Sequence, residues 1–230
     1  APEQHDRSQR LQRNQVQPSV MTDASQRNVM RRKMRAYRQA LTPAEQNHAS
    51  ITLCQIALSS AHFTNASTIA FYWPIDGEIN PIPLMRAALK SGKCCTLPVV
   101  PEEEEGLLTF QRITGSTRFV RDRFGVWTPR PTAAGLVTPT DHDLILTPLV
   151  GYTRKGDRLG FGAGFYDRLF DDMGHTANLP LKVGCAHQGQ EITSDWSPAP
   201  WDRPLDVVLT DQALITVSSL ASFEESSHDR

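Results

Sequence analysis

The chain has 230 residues, of which 39% are hydrophobic and 21% are charged, and its formal net charge is −1. This size and composition predict a globular protein with one core, and the near-zero charge argues against a dedicated nucleic-acid binder, which usually carries a basic excess. No run of about eighteen apolar residues occurs and the N-terminus lacks a secretory pattern, so we expect no membrane contact and a cytoplasmic location.

The cysteines and histidines give no metal or disulfide pattern. Cys54, Cys94, Cys95 and Cys185 lack CxxC spacing, and the seven histidines lack HxxxH or HExxH spacing. We therefore expect reduced cysteines packed in the core, without catalytic zinc. Because no serine lies in a GxSxG motif, nothing favours hydrolase chemistry.

Composition divides the chain into three parts. Residues 1–25 are rich in Gln, Arg, Asn and Ser, and such a segment buries too little apolar surface to offset the entropy of ordering. We expect a disordered leader at 1–25, one domain at 26–218 and a polar tail at 219–230.

A basic helix is predicted at the start of the domain. Six basic residues and no acidic one lie between Arg27 and Arg38. Helical spacing gives an apolar stripe and a neighbouring basic stripe: Met30, Met34, Tyr37 and Leu41, then Arg27, Arg31, Arg35 and Arg38. Charge runs are usually solvated helix faces. Unpaired like charges one turn apart repel, however, so a bound polyanion explains the clustering better.

Strands and helices alternate in the rest of the domain. A second helix is predicted after Thr42 and Pro43, with Ile51, Cys54 and Leu58 on one face. Strands are predicted at 68–73, 94–100, 107–113, 144–150, 181–186 and 206–210, and helices at 83–90 and 164–172. Near-continuously apolar strands separated by helices predict an α/β domain with a buried, mainly parallel sheet and helices on both faces.

A glycine-rich stretch, RLGFGAGFYDR at 158–168, carries the strongest functional signal. Gly160, Gly162 and Gly164 alternate between Arg158 and Asp167. Such glycines let a ligand approach main-chain N–H groups, and the helix predicted to follow adds an anion site at its N-terminus. The stretch matches neither the P-loop nor GxGxxG. A turn that merely packs a helix on a sheet is the alternative, but the flanking cation and carboxylate favour a nucleotide phosphate.

The longer segment LILTPLVGYTRKGDRLGFGAGFYDR, at 144–168, resembles the nucleotide loop of the 5-formyltetrahydrofolate cyclo-ligases. That family has a hydrophobic strand ending in proline, a polar link and RLGxGxGYYD, and Phe165 stands here where tyrosine is usual. Further segments match in the same order: the basic helix, DGEI at 76–79, GKCCTLPVV at 92–100, VGCAHQGQ and WDRPLDVVLT. The resemblance spans roughly residues 31–216 and implies a single three-layer α/β/α sandwich.

The resemblance also implies an activity. The family closes 5-formyltetrahydrofolate to 5,10-methenyltetrahydrofolate with ATP and Mg²⁺, through phosphorylation of the formyl oxygen and attack by N10, and releases ADP and phosphate. We therefore expect a small-molecule folate substrate, with or without a polyglutamate tail. We expect a monomer with no nucleic-acid or membrane partner.

Site residues follow from the same resemblance. ATP would be bound by residues of the basic helix and the glycine loop: Arg31, Arg35, Arg158, Leu159, Gly160, Phe161, Gly162, Ala163, Gly164, Phe165 and Tyr166. Of these, Arg158 would act in catalysis by neutralising phosphate charge, and Tyr166 by shaping the site between nucleotide and folate.

The remaining site residues belong to the folate and the metal. Trp73 and Glu78 would contact the folate, and Asp167 and Asp202 would hold Mg²⁺. Local alternatives are a core role for Trp73, a capped turn at Asp76 and a plain surface position for Asp202.

Two other functions stay open from the residues alone. The arginine-rich helix would suit a non-catalytic nucleotide- or RNA-binding module. A sugar-phosphate isomerase or a CoA-transferase-like enzyme on a related sandwich would also use a glycine loop, but it would need a placed general base and would ignore ATP.

Overall fold

A computed structural model of the protein describes residues 23–103, 105–174, 178–194 and 196–217. Most of the leader predicted at 1–25 and the whole tail predicted at 219–230 lie outside these residues. The first helix begins at Asp23, slightly before the domain start predicted at residue 26.

The described chain contains five α-helices and twelve strands. The helices are α1 (Asp23–Ala40), α2 (Pro43–Leu58), α3 (Ala61–Asn65), α4 (Ile82–Lys90) and α5 (Phe165–Asp172). The strands are β1 (Thr68–Ala70), β2 (Cys94–Val99), β3 (Thr109–Arg112), β4 (Phe119–Arg121), β5 (Trp127–Pro129), β6 (Leu136–Val137), β7 (Leu144–Pro148), β8 (Gly151–Tyr152), β9 (Arg158–Leu159), β10 (Leu181–Ala186), β11 (Val207–Thr210) and β12 (Leu214–Thr216).

Eight strands form one sheet in the order β12-β11-β10-β7-β1-β2-β3-β6. The strands from β11 to β2 run parallel, whereas β12, β3 and β6 pair antiparallel at the two edges. Every strand predicted from the sequence is present in this sheet, although β1 ends at Ala70 rather than at residue 73. The prediction of an α/β fold with a mainly parallel sheet is confirmed.

Successive residues of β1 show that the sheet is covered on both faces. Ile69 packs in a core cluster with Leu53 of α2 and Leu84 of α4. The next residue, Ala70, belongs to a different cluster with Leu169 and Phe170 of α5. Because neighbouring side chains in a strand point to opposite faces, the helices form layers above and below the sheet, as in the predicted sandwich.

The N-terminus of α2 follows the sequence prediction, but its buried face does not. Thr42 caps the helix through a capping box with Glu45, and Pro43 occupies the first turn. The predicted face was wrong, because Ile51 and Leu58 are 44% and 43% exposed. The buried stripe is instead made of small side chains around one leucine: Ala49, Ser50, Leu53 and Ala57. Small residues let this helix approach the sheet closely. A prediction based on the spacing of large apolar residues does not detect such a face.

Candidate active site

A cavity of about 470 Å³ opens beyond the carboxyl ends of the parallel strands, where ligands collect in open α/β sheets. Residues that follow β1 and β7, the glycine loop and α1 all contribute to its wall. Every site residue predicted from the sequence lines this cavity except Arg35 and Leu159. The Leu159 side chain is fully buried and packs with Met34, Val150 and Ile192, so it anchors the loop from behind.

The glycine loop connects the short hairpin β8–β9 to α5. Gly162 and Gly164 have φ angles of 121° and 70°, which other residues rarely adopt, and Gly164 is the N-cap of α5. A Cβ atom on Gly164 would also lie 2.9 Å from the Arg168 guanidinium. Gly162 and Gly164 are therefore required by the backbone, and Gly164 places the positive end of α5 beside the cavity.

Arg158 brings a desolvated positive charge to the base of this loop. Arg158 is only 4% exposed, and its Nη2 atom lies 2.6 Å from Asp167 Oδ1. The buried Nε atom has no hydrogen-bond partner among the described residues. A buried guanidinium with an unused donor is suited to a phosphate oxygen.

The four arginines of the predicted basic stripe contact other parts of the protein. Arg27 pairs with Asp202 at 2.7 Å, and Arg31 Nε donates to the Gly160 carbonyl at 3.0 Å. Arg35 and Arg38 both pair with Asp76 at 2.7 Å, and Arg38 is completely buried. The premise that these charges are unpaired was therefore wrong for Arg27, Arg35 and Arg38, which pair with carboxylates of the same chain.

Asp76 is the carboxylate that pairs with both Arg35 and Arg38 of α1. The sequence analysis assigned it only to a capped turn and did not predict these ion pairs. Asp76 has a left-handed φ of 51° and accepts hydrogen bonds from Arg35, Arg38 and Gln39. Burial acts to raise the pKa of Asp76, but those hydrogen bonds outweigh it and lower the pKa to about 2. The available signal was a DG turn following a basic helix, which specifies a turn but no partner.

Glu78 and Tyr166 present proton-bearing groups to the cavity. The Glu78 side chain is 8% exposed; its Oε2 atom accepts from the Ile75 N–H at 3.1 Å, and its Oε1 atom lies 3.8 Å from Arg38. Burial raises the pKa of Glu78 to about 7, although the Arg38 charge opposes this shift. The Tyr166 hydroxyl is buried without a partner among the described residues, and burial, followed by the Glu78 charge, raises its pKa.

The opposite wall is a hairpin, β4–β5, that the sequence analysis did not predict. Phe124, Val126 and Trp127 of this hairpin line the cavity, and Phe119 stacks on Trp73 with 5.7 Å between ring centroids. The sequence FVRDRFGVW did contain a turn signal, because Asp and Gly are typical turn residues. In the structure Gly125 has a φ of 74°, and the Asp122 carboxylate accepts the N–H groups of Phe124 and Val126. Trp73 thus belongs to the cavity wall as well as to the edge of the core.

Comparison with known proteins identifies the family to which the chain belongs. The sequence model of the 5-formyltetrahydrofolate cyclo-ligase family matches residues 23–211. The chain belongs to the 5-formyltetrahydrofolate cyclo-ligase family. The family predicted from the glycine loop and the ordered motifs is therefore confirmed.

Individual relatives of the family agree over nearly their whole lengths. A 5-formyltetrahydrofolate cyclo-ligase of Haemophilus influenzae is 32% identical over 81% of this chain and 98% of its own. One from Escherichia coli K12 is 30% identical over 77% and 96%. The NMR structure of a 5,10-methenyltetrahydrofolate synthetase from Aquifex aeolicus has a TM-score of 0.70 at 30% identity, covering 83% of this chain and 92% of that one.

The carboxylates predicted for Mg²⁺ in this cyclo-ligase family member fit a metal unequally. Asp167 and Asp202 line the same cavity, and the described residues contain no cluster of three or more potential metal ligands. Asp202 accepts two hydrogen bonds from Arg27 and one from the Ala199 N–H. Asp167 uses only Oδ1, toward Arg158 and the Arg203 N–H. Magnesium would therefore find a ready oxygen on Asp167, whereas Asp202 would first have to release Arg27.

The other features of the chain are consistent with this assignment. All four cysteines are free, and Cys95 and Cys185 are buried as predicted. No helix among the described residues combines the length and the apolar character needed to cross a membrane.

Proposed function

We propose that this protein converts 5-formyltetrahydrofolate to 5,10-methenyltetrahydrofolate with ATP. One observation supports the proposal most strongly beside family membership. A single cavity joins a glycine loop and buried Arg158, suited to phosphate, to Glu78 and the unpartnered Tyr166 hydroxyl, suited to a polar organic substrate. Most of the residues predicted for the nucleotide and the folate line this one cavity, which supports the proposal.

The chemistry explains why ATP is needed. An N-formyl group is an amide, whose resonance makes the carbon a poor electrophile and the oxygen a poor leaving group. Transfer of the γ-phosphoryl group to the formyl oxygen corrects both. N10 of the same folate then attacks that carbon, the carbon–oxygen bond breaks, phosphate leaves with the former formyl oxygen, and N10 loses its proton. Because the attack is intramolecular, a held geometry gives it a high effective concentration.

The side chains support these steps by position and charge. Arg158 and the loop amides would neutralise the transferring phosphoryl group, which needs little more from a protein than positioning and electrostatic stabilisation. Glu78, whose pKa of about 7 leaves it partly ionised near neutrality, would accept the proton released by N10. The Tyr166 ring, whose centroid lies 5.8 Å from Arg158 Cζ, would separate the nucleotide from the folate while its hydroxyl donates to the substrate.

The metal and the arginines of α1 complete the proposal. Asp167 would bind Mg²⁺, which when bound neutralises the charge of the ATP phosphates, and Asp202 would join once Arg27 is released. Arg31 lines the cavity and would reach the nucleotide directly. Arg35 does not line the cavity and lies with Cζ 5.0 Å from the Phe161 ring centroid, so its contribution to ATP binding would be to support the loop.

We further infer a monomeric enzyme of the cytoplasm whose folate substrate carries one or more glutamates. Free cysteines are consistent with a reducing compartment.

Purified protein mixed with ATP, Mg²⁺ and 5-formyltetrahydrofolate tests the reaction. The expected result is growth of the methenyl absorbance band together with release of one ADP per turnover. Omission of ATP should abolish the signal. Failure to form methenyl product in the complete mixture would overturn the proposal.

The rival nucleic-acid module has lost its main support. It was suggested by the arginine-rich helix, yet Arg27, Arg35 and Arg38 of that helix pair with carboxylates and Arg31 donates to the glycine loop. Calorimetric titration with ATP, folate and a short RNA separates the alternatives, since the proposal requires binding of the first two and not of the third.

A further inference from the structure

A buried histidine, His187, holds the backbone of the turn that carries Glu78. Its Nε2 atom lies 3.1 Å from the Gly77 carbonyl oxygen, and the residue is only 2% exposed. A carbonyl only accepts hydrogen bonds, so Nε2 is the protonated ring nitrogen. The ring also accepts the N–H of Gln190 and therefore uses its other nitrogen as well. Burial lowers the pKa of His187, which agrees with a neutral ring that donates on one side and accepts on the other.

The turn that His187 contacts has a backbone conformation that needs support from its surroundings. Asp76 and Gly77 have successive left-handed φ angles of 51° and 74°. A Cβ atom on Gly77 would lie 3.0 Å from the Arg38 carbonyl oxygen, so the turn also packs directly against α1. Left-handed angles are costly for residues other than glycine and persist where neighbouring contacts fix them.

Two side chains donate to the carbonyls on either side of Glu78. His187 donates to Gly77, and the Tyr72 hydroxyl donates to Ile79 at 2.6 Å. Both donors are almost fully buried, so water cannot take their place. Tyr72 belongs to the same connection after β1 as the turn itself, whereas His187 follows β10. His187 is therefore the donor that ties the turn to another part of the sheet.

Gln190 extends this contact to the glycine loop. Its buried side chain accepts the His187 N–H at 2.9 Å and donates to the Val150 carbonyl at 2.7 Å. The Val150 N–H in turn donates at 2.8 Å to the carbonyl of Leu159, the residue directly before Gly160. These contacts, which we call the His187–Gln190 bridge, connect the turn at one end with the start of the glycine loop at the other.

We propose that His187 is a positioning residue that, together with Gln190, fixes Glu78 relative to the glycine loop. The proposal rests on the proposed function. Phosphoryl transfer to the folate requires the two ligands to be held at one separation, and a displacement of about 1 Å can lower the rate about 100-fold. His187 is not among the residues that line the cavity, so it acts through Gly77 and Gln190 rather than by contact with a ligand.

Substitution of His187 separates the role of its N–H donor from that of a buried side chain. His187→Leu removes the donor, and we expect kcat per folded molecule to fall about 10- to 100-fold, with both KM values changed less than about threefold. His187→Gln keeps an N–H donor at similar reach and should restore kcat to within about threefold of wild type. Steady-state kinetics measures both variants, with the folded fraction taken from circular dichroism. Equal losses of kcat in the two variants, or a wild-type kcat in His187→Leu, would overturn the proposal.

His142 supplies the matched control, because it is a buried histidine with two hydrogen bonds at the opposite edge of the sheet. It is 4% exposed, and its ring nitrogens lie 2.9 Å from Thr96 Oγ1 and 3.0 Å from the Pro139 carbonyl oxygen. It precedes β7, whereas the cavity lies beyond the carboxyl ends of the strands. His142→Leu should destabilise the protein about as much as His187→Leu and yet keep kcat per folded molecule. A comparable fall in kcat would show that the loss of any buried histidine lowers activity, and would overturn the assignment.

Hydrogen exchange measured by mass spectrometry tests the bridge without any reaction. The Glu78 N–H is bonded to the Ile75 carbonyl at 2.9 Å, and the Val150 N–H is bonded to Leu159, so these amides report on the two ends of the bridge. His187→Leu should speed exchange at 73–81 and 149–160 about tenfold relative to the central strands, whereas His187→Gln and His142→Leu should not.

The two measurements distinguish failure of the bridge from failure of the proposed function. Unchanged exchange in His187→Leu would overturn the bridge while leaving the proposed reaction intact. Absence of methenyl product with wild type would overturn the proposed function, and the exchange contrast would still decide whether His187 fixes the turn against the glycine loop.

Discussion

The two ends of the cavity handle positive charge in opposite ways. At the glycine-loop end, Arg158 is buried against Asp167 and Arg27 against Asp202. At the hairpin end, Arg121 and Arg123 are exposed and stacked on aromatic rings without a carboxylate. A buried guanidinium needs a counter-ion because desolvation is costly, whereas an exposed one is stabilised by water.

This difference predicts how each end meets its ligand. On the proposed function, phosphate oxygens at the loop end would reach the unused Nε donor of Arg158 and would compete with Asp167 for the rest of its guanidinium, which favours a highly charged group such as a Mg²⁺-bound triphosphate. The hairpin end instead presents exposed charges, whose interactions are screened by salt. Four substitutions test this contrast, beginning with the largest expected effect.

Arg158→Ala should be the most damaging change. It removes the buried cation of the loop and leaves Asp167 unpaired, so we expect kcat/KM to fall about 100- to 1000-fold, with a larger rise in KM for ATP than for folate. Steady-state kinetics with each substrate varied in turn measures this. Arg154→Ala, which removes a 63% exposed arginine paired with Glu191 in the turn between β8 and β9, should have little effect. Equal losses for both substrates would contradict the assignment of Arg158 to the nucleotide.

Glu78→Gln should reveal the cost of a buried carboxylate between the two ends. The pKa of Glu78 is about 7 in the fold, whereas its ordinary value is 4.5. The protonated side chain therefore makes its full contribution to stability below pH 4.5, and this contribution is lost as the pH rises through the folded-state pKa of about 7. Glutamine does not titrate, so the variant should become more stable relative to wild type over this window, by up to about 3 kcal/mol. Urea unfolding of both proteins from pH 5 to 8 measures the difference.

The same variant should also raise KM for folate more than KM for ATP. A stability difference that is independent of pH would show that Glu78 does not titrate in this range.

Asp76→Asn should weaken the attachment of α1. The pKa of Asp76 is about 2 in the fold, whereas its ordinary value is 3.8. The ionised side chain therefore makes its full contribution to stability above pH 3.8, and this contribution is lost as the pH falls through the folded-state pKa of about 2. At pH 7 the variant should lose about 2 kcal/mol of unfolding free energy, and the loss should shrink below pH 4. Arg35→Ala removes only the 40% exposed partner of the same carboxylate and should cost less than about 1 kcal/mol. Chemical denaturation compares them, and equal losses would refute the special role of buried Arg38.

Phe165→Tyr should have the smallest effect. The ring lies at the seam between the two ends, 6.0 Å from Phe124 and 5.1 Å from Arg168 Cζ, and a tyrosine keeps these contacts. We expect both KM values and the melting temperature to change little, with kinetic changes below about twofold. A large change in either direction would show that the hydroxyl, which the family usually has at this position, matters to this site.

The sequence predicted the sheet and the glycine loop because both follow local rules. Continuous apolar runs such as Leu144–Pro148 form strands in many contexts, and Gly162 and Gly164 have backbone angles that few other residues adopt. The residues around them were assigned by family resemblance, and the structure brings most of them to one cavity. Their individual roles stay predictions.

The ion pairs of α1 and the β4–β5 hairpin could not be predicted from local sequence patterns. Asp76 and Arg38 are 38 residues apart, and Arg27 and Asp202 are 175 apart, so no local pattern connects them. The residues of β4 are all exposed, which removes the alternation by which a strand is recognised. Nor does charge alone show that Arg38 lies fully buried while Arg35, one turn away, stays partly exposed.

The pair between Arg27 and Asp202 sets a condition on biosynthesis. One partner lies near the start of the first helix, and the other follows 175 residues later in the chain. During translation the first helix is made long before the carboxylate that pairs with Arg27, so the glycine-loop end of the cavity cannot be assembled until nearly all of the domain has left the ribosome. Contacts of such long range also slow folding, and the newly made enzyme should acquire nucleotide affinity only in its last folding step.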